Sequence, residues 1–165
     1  MPRLCLMLCR LSLAAWFGAG CLFLAVVLGL RNSPLFGDEV RFNHPRVLFP
    51  LYYSLEFPLL IVATIASWVV VTTVAKTSSR RSLIAVAILS SLAFGLALVD
   101  FAVVYRPLAQ MLESQVPTAR FMSLHHTSRW INAAALVLTA ISASWACWID
   151  PTSVASQVSC ENTGP

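Results

Sequence analysis

Four apolar runs without a single charged residue constrain the fold of this chain more than any other feature. They cover residues 11–30, 57–75, 82–99 and 130–149, and each is 18 to 20 residues long. A helix rises about 1.5 Å per residue, so each run spans roughly 27–30 Å, the thickness of the hydrocarbon core of a bilayer. The runs therefore predict a chain that crosses a membrane four times.

The composition argues against an ordinary soluble domain. Of the 165 residues, 58% are hydrophobic and 11% are charged, whereas soluble domains carry about 25% charged residues. One small soluble core could not hide four helices that are apolar on every face. The net charge of +4 comes from basic residues scattered over the connections and helix ends. Because no basic stripe alternates with aromatic residues, we expect no nucleic-acid partner.

We predict an all-α fold, a four-helix transmembrane bundle over residues 1–150, followed by a disordered polar tail at 151–165. The first apolar run continues past Cys21, so it predicts a retained span rather than a cleaved signal peptide. The predicted partner is the lipid bilayer of a plasma or inner membrane. The predicted spans lie at about residues 11–30, 52–75, 82–105 and 129–149.

The connections between the spans differ in length and composition. The first, residues 31–48, contains Pro and Gly and predicts a structured loop or a broken helix. The second, residues 76–81, is short and predicts an antiparallel hairpin of spans two and three. The third, residues 106–129, predicts a short interfacial helix near 108–114. Pro58 is expected in the first turn of span two, where a missing N–H costs nothing.

Polar residues at membrane depth gather toward the side of the first and third connections. Charges in lipid are costly, so those that persist usually face the bundle and find partners. For Asp100 we expect Arg129 or a histidine of span four as the partner. His125, Ser128 and Asn132 recur at +3 and +4 and share one helix face. The predicted polar cluster comprises Glu56, Asp100, His125, His126, Ser128, Arg129 and Asn132.

The cluster has two interpretations. It is either a polar clamp that ties helix ends together, or a cavity that binds a proton, a metal, haem or a polar substrate. Histidine beside carboxylate suits proton relay or ligation of metal or haem, and His125 is the candidate ligand. We predict no cofactor in the first interpretation and haem or copper as the alternative. Neither a nucleophile elbow nor a catalytic triad is visible, so no catalytic residues are predicted.

Two further patterns concern packing. Tyr52, Tyr53, Tyr105 and Trp130 at one edge, and Trp145 and Trp148 at the other, predict interfacial aromatic belts. Small residues at four-residue spacing let neighbouring helices approach closely. Three helix faces show this spacing: Ala87/Ser91/Gly95, Ala14/Gly18 and Ala15/Ala19. They predict helix contacts within the bundle or, alternatively, contacts in a homo-oligomer.

Two segments carry a resemblance to a known family. Residues 48–53, LFPLYY, resemble the LFPxYF motif of the transmembrane protein 205-like family, and residues 121–132, FMSLHHTSRWIN, resemble its FxxLHGxSxxxN signature. Residues 35–37 and the pair Arg106-Pro107 also fit, and the resemblance covers about residues 10–147. It implies four spans and no catalytic assignment. The matching signature positions are Phe49, Pro50, Tyr52, Leu124, His125, Ser128 and Asn132.

One position departs from that signature. His126 stands where the family usually has glycine, so the resemblance does not carry a close backbone approach there. A looser similarity to copper-resistance D-like and haem-binding four-span proteins underlies the alternative of a redox or transport protein that uses His125. The sequence thus favours a multi-pass membrane protein that is not an enzyme.

Overall fold

A computed structural model describes residues 2–35, 37–74, 78–113 and 119–149. In these ranges the chain is helical apart from short connections, which confirms the all-α transmembrane bundle. The tail at 151–165 and residue Phe36 of the family motif lie outside the described residues. The elements are α1 (Pro2–Asn32), α2 (Asp38–Thr73), α3 (Ser78–Val99), a π-helical segment (Asp100–Tyr105), α4 (Arg106–Glu113) and α5 (Ala119–Trp148).

Four helical stretches are long and apolar enough to cross a membrane. They contain 29 to 32 residues each, so they are about 43–48 Å long and exceed the roughly 30 Å hydrocarbon core. Large apolar side chains cover their outer faces, as lipid contact requires. The stretches are Pro2–Asn32, Asn43–Thr73, Arg80–Met111 and Arg120–Trp148.

Helix α2 begins far earlier than the apolar run that it contains. Its first residue is Asp38, so most of the predicted first connection is helical and Pro45, Pro50 and Pro58 lie inside the helix. The expectation that Pro58 occupies a first turn is therefore wrong. Each proline removes one backbone donor from the helix. The helix persists there because packing against α1 and α3 stabilises it more than local propensity opposes it.

The third connection also contains more helix than the sequence predicts. The short helix expected near residues 108–114 is α4, which continues α3 through the π-helical segment. Helix α5 begins at Ala119, well before the apolar run. Polar residues next to the apolar runs thus continue the helices, above all on the side where α1 ends and α2 begins.

The four long helices form a ring in which α1 packs on α2, α2 on α3, α3 on α5 and α5 on α1. Its two halves differ in composition. The apolar half contains the start of α1, the end of α2, the start of α3 and the end of α5, with a core of small and aliphatic residues. That core includes Leu6, Leu13, Ala63, Val70, Val74, Leu83, Val86 and Ala146. The polar half is centred on Trp16, Tyr52, Tyr53, Leu60, Ala93 and Ala97, with further aromatic rings around them.

The side chain of Arg10 joins α1 to the end of α5 in the apolar half. Arg10 of α1 donates from Nε to the carbonyl of Ala146 at 2.9 Å, and its Nη2 donates to the carbonyl of Ile149. The last carbonyls of a helix have no donor within the helix. Arg10 supplies these donors to the end of α5 and therefore fixes α1 to α5.

The small-residue faces divide between the interior and the outer surface. Ala87 is fully buried, and Ser91 accepts a 3.0 Å hydrogen bond from Trp68 Nε1, so this face serves packing between α2 and α3. Ala14 and Gly18 of α1 face outward, and a Cβ at Gly18 would have no neighbour within 4 Å. A homo-oligomer formed through this outward face stays a prediction.

Candidate functional site

Asp100 is the centre of a hydrogen-bond network inside the polar half. Its side chain is 1% exposed. Its Oδ2 accepts three hydrogen bonds, from Tyr53 Oη at 2.6 Å, from Asn132 Nδ2 at 2.6 Å and from Ser128 Oγ at 3.1 Å. One carboxylate oxygen thus joins α2 and α5 to the helix that carries Asp100.

Asp100 lies at the first position of the π-helical segment. Asp100 and Val104, four residues apart, are the buried residues of this segment. A π-helical turn is wider than an α-helical turn and occurs frequently at functional sites. The change of helix type therefore coincides with the residue that carries most of the polar contacts.

Asn132 connects Asp100 to a second tyrosine. Its Oδ1 accepts a 2.7 Å hydrogen bond from Tyr52 Oη, while its Nδ2 also donates to the backbone carbonyl of Ser128 at 2.9 Å. Both ends of the amide therefore have partners. The arrangement fixes Asn132 between Tyr52 and Asp100, so the network spans α2, the π-helical segment and α5.

Glu56 is different because it is buried without any hydrogen bond. Its side chain is 0% exposed, and among the described residues neither of its carboxylate oxygens has a partner; the same holds for Asp100 Oδ1. Glu56 follows Tyr52 by four residues and shares its helix face. The two carboxyl groups lie within electrostatic range of each other. Buried polar groups without partners are rare and costly, so this one requires an explanation.

Aromatic rings surround the two carboxyl groups. The ring of Tyr53 lies 5.1 Å from that of Phe101 and 4.7 Å from that of Tyr105, and the ring of Tyr52 lies 5.0 Å from that of Trp16. Tyr52 and Tyr53 are 7% and 3% exposed. For these two residues the prediction of an interfacial belt is wrong, because their hydroxyl groups bind the buried network instead of water.

The site lies deep in the candidate spans. Glu56 is about 20 Å from the start of its candidate span and about 26 Å from its end, at 1.5 Å per residue. Asp100 is displaced from the middle of its span toward the end of α3, and Asn132 toward the start of α5. The polar residues thus share one half of the bundle but reach close to its middle, because the helices extend well beyond the apolar runs.

The other predicted site residues lie nearer the surface. His125 is half-buried with its ring parallel to that of Phe121, at a centroid distance of 6.3 Å, while His126 and Arg129 are exposed. The hydrogen-bond partners of Asp100 are therefore Tyr53, Ser128 and Asn132, not Arg129 or a histidine. Successive helix residues are turned by about 100°, so Arg129 points away when Ser128 points inward.

A small cavity adjoins the network. It has a volume of about 100 Å³ and lies between α2, α4 and α5. Ser128 belongs both to its wall and to the network. The wall is formed by Pro45, Phe49, Tyr105, Leu108, Ala109, Phe121, His125 and Ser128. Of the family-signature positions, Phe49, His125 and Ser128 line the cavity, Pro50 is exposed and Leu124 is half-buried.

Within the described ranges, no group of three or more His, Cys, Asp or Glu side chains lies close enough to hold a metal ion. The haem or copper alternative stays a prediction. Comparison with models of protein families, with curated proteins and with solved structures finds no match. Membership of the transmembrane protein 205-like family therefore also stays a prediction.

The sequence assigns Tyr53 to an aromatic belt and Tyr52 to the belt and the family signature, and neither to the polar cluster. A signal for both is present, because Tyr52 and Tyr53 precede Glu56 by four and three residues and lie next to it on the helix surface. The predicted span begins at residue 52, which places both tyrosines at its edge. Helix α2 begins at Asp38 and places them well inside the helix.

Proposed function

We propose that this multi-pass membrane protein binds and releases protons at the carboxyl pair Glu56 and Asp100, and that its activity in the membrane is linked to this exchange. The observation that carries the proposal is Glu56, which is fully buried and has no hydrogen-bond partner for either oxygen among the described residues. Ionisable residues inside membrane spans are costly to keep and mark proton or ion pathways in many membrane proteins.

A purely structural clamp accounts for only part of this site. The three donors on Asp100 Oδ2 tie α2 and α5 together, as a clamp requires. Glu56 adds no hydrogen bond to that arrangement. A clamp would be as strong with an apolar residue at position 56, since an unsatisfied polar group lowers stability. Proton exchange gives the second carboxyl group a role that a clamp does not.

The number of free oxygens favours a proton over a metal cation. The pair offers three carboxylate oxygens without partners among the described residues: both of Glu56 and Oδ1 of Asp100. Calcium takes about six to eight oxygen ligands and magnesium demands an octahedral shell. Three oxygens would leave such a shell half empty, whereas a proton needs one oxygen to bind and one to accept its hydrogen bond.

The family resemblance fits the same site. Tyr52, Ser128 and Asn132 are signature positions far apart in sequence, and all three belong to the network around Asp100. This convergence supports the proposal that the chain belongs to the transmembrane protein 205-like family and that the signature preserves the network. The location that we propose is a plasma or inner membrane.

Haem or copper binding through His125 is the second candidate, favoured by the position of His125 in the cavity wall. The cavity, at about 100 Å³, is small beside the roughly 300–1,000 Å³ of typical ligand and cofactor sites. Visible absorption and metal analysis of the purified protein test this candidate. Haem or copper at one equivalent, lost in His125→Ala, would support it, and a protein without either would eliminate it.

Infrared spectroscopy of the protein in lipid nanodiscs tests the proton site. We expect acidification to raise the carbonyl band of a protonated, buried carboxyl group. Glu56→Gln and Asp100→Asn should each remove part of that band. Glu39→Gln, at an exposed position near the start of α2, is the matched control and should leave the band unchanged. A band that neither variant alters would refute the proposal.

A further inference from the structure

The cavity beside the network lies in the half of the bundle that contains the connection between α1 and α2. Its wall residues come from the first part of α2, from α4 with the adjoining Tyr105, and from the first part of α5. These segments lie on the side of the 33–37 connection. Ser128 is the wall residue that reaches the carboxyl pair, because its Oγ donates to Asp100 Oδ2 at 3.1 Å.

The size of the cavity restricts what it can contain. A volume of about 100 Å³ has room for several water molecules, each of which needs roughly 10–15 Å³ measured with a water-sized probe. It is smaller than the pockets of about 300–1,000 Å³ that typically hold organic ligands. The hydroxyl group of Ser128 and the ring of His125 provide polar contacts for water in an otherwise apolar wall.

The opposite direction is closed by apolar packing. From Glu56 to Val74 helix α2 continues for about 27 Å, and its inward residues there include Leu60, Ala63 and Val70, each 0% exposed. The fully buried polar side chains of the apolar half, among the described residues, are Ser and Thr hydroxyl groups. Arg10 adds a positive charge at the far end. Among its described residues, this layer has no buried carboxyl, amide or imidazole group, and hydroxyl groups such as those of Ser90 and Thr139 donate to backbone carbonyls of their own helices rather than to a carboxyl group.

We infer that the cavity is a water-filled entrance through which the carboxyl pair exchanges protons with one face of the membrane only, the face that carries the 33–37 connection. Ser128 is the relay between that water and Asp100. This inference rests on the proposed function and adds to it the route and the side of proton access.

The transfer step conserves atoms and charge. A hydronium ion in the cavity gives a proton to Ser128 Oγ, while the hydroxyl proton of Ser128 passes along its existing hydrogen bond to Asp100 Oδ2. Water remains in the cavity, Ser128 is again a neutral hydroxyl group, and the carboxylate becomes a carboxylic acid. The proton leaves Asp100 by the reverse of this step.

The charged groups at the entrance are mainly basic. Arg129 and His126 of α5, together with Arg31 at the end of α1, lie within electrostatic range of His125. The titratable groups that α2 contributes around Asp100 are Glu56, Tyr52 and Tyr53.

Filling the cavity tests the inference. Ala109 is a half-buried wall residue, and Ala102 is an exposed alanine two positions after Asp100, so Ala109→Phe and Ala102→Phe form a matched pair. After a rapid pH jump in nanodiscs, we expect Ala109→Phe to slow the appearance of the carboxyl band by at least tenfold with an unchanged final amplitude. Ala102→Phe should follow the wild-type rate. Ser128→Ala should also slow the exchange.

A chemical modification made after folding tests the same point if Ala109→Phe does not fold. Ala109→Cys, in a background with Cys5, Cys21, Cys147 and Cys160 replaced by Ser, is alkylated in the nanodisc, and the same slowing is expected. An unchanged rate in a folded, filled variant would overturn the one-sided entrance while leaving the proton site intact. A wild-type protein without any titrating buried carboxyl band would overturn the proposed function itself.

Discussion

The polar and apolar halves of this bundle hold the same four helices together by different means. In the apolar half, small and aliphatic side chains interdigitate, and Arg10 fixes α1 to the end of α5. In the polar half, one oxygen of Asp100 accepts hydrogen bonds from two neighbouring helices within a shell of aromatic rings. The apolar half shows that these helices can pack without a buried carboxyl group.

The comparison separates two roles that the sequence presents as one cluster. Asp100 has structural partners, whereas Glu56 has none among the described residues. A group that stabilises the fold and a group that is kept at a cost to the fold should respond oppositely to substitution.

Asp100→Ala should give the largest loss of stability. It leaves the side chains of Tyr53, Ser128 and Asn132 without their shared acceptor, so we expect the free energy of unfolding in detergent to fall by about 3 kcal/mol. Asp100→Asn keeps one carbonyl oxygen as an acceptor and should cost less. A midpoint of Asp100→Ala within error of the wild type would show that the network does not stabilise the polar half.

Arg10→Met tests the apolar half in the same way. The side chain keeps most of its length but loses the donors to the carbonyl groups of Ala146 and Ile149. Because hydrogen bonds from charged groups are stronger than neutral ones, we expect a loss of about 2 kcal/mol in the free energy of unfolding. Arg3→Met, at an exposed position of the same helix, is the control. Equal unfolding midpoints for the two variants would show that the Arg10 contact does not stabilise this half.

Glu56→Met should stabilise the protein. It replaces an unpartnered buried carboxyl group by an apolar side chain of similar length, so we expect a gain of about 1 kcal/mol in the free energy of unfolding, measured by chemical denaturation in detergent. The same variant should lose its part of the buried carboxyl band in the infrared spectrum. Glu56→Gln, which keeps a polar group, should give no such gain. A clear loss of stability in Glu56→Met would mean that Glu56 is a structural residue.

The sequence predicts the number of helices and most of the polar residues, because lipid requires long apolar runs and makes every charge within them conspicuous. The sequence places the site too close to the end of span two. The prolines at 45, 50 and 58 are strong signals against a helix in isolation, yet packing overrides them and extends α2 to Asp38. Once the helices lengthen, Tyr52 and Tyr53 move from a supposed interface into the network.

The partners of Asp100 could not be read from sequence for a different reason. Charge complementarity favours Arg129, but which of two adjacent residues faces inward depends on the rotation of α5 about its axis. Ser128 occupies the inward position, so Arg129 is exposed. That rotation is set by contacts along the whole helix, including Ala135, Thr139, Ser142 and Ala146, all of which are buried.

The smallest expected effect concerns a hydroxyl pair that joins two helices in the apolar half. Ser90 Oγ of α3 lies 3.1 Å from Ser142 Oγ of α5, and Ser90 also donates to the carbonyl of Val86 at 2.8 Å. Hydrogen bonds between membrane helices contribute about 0.6 kcal/mol on average, so Ser90→Ala and Ser142→Ala should each lower the free energy of unfolding by about that amount. A double-mutant cycle in detergent measures their coupling. A coupling well above about 1.7 kcal/mol, the upper end seen for such bonds, would mean that the interior of the apolar half, and not only its Arg10 end, depends on polar contacts.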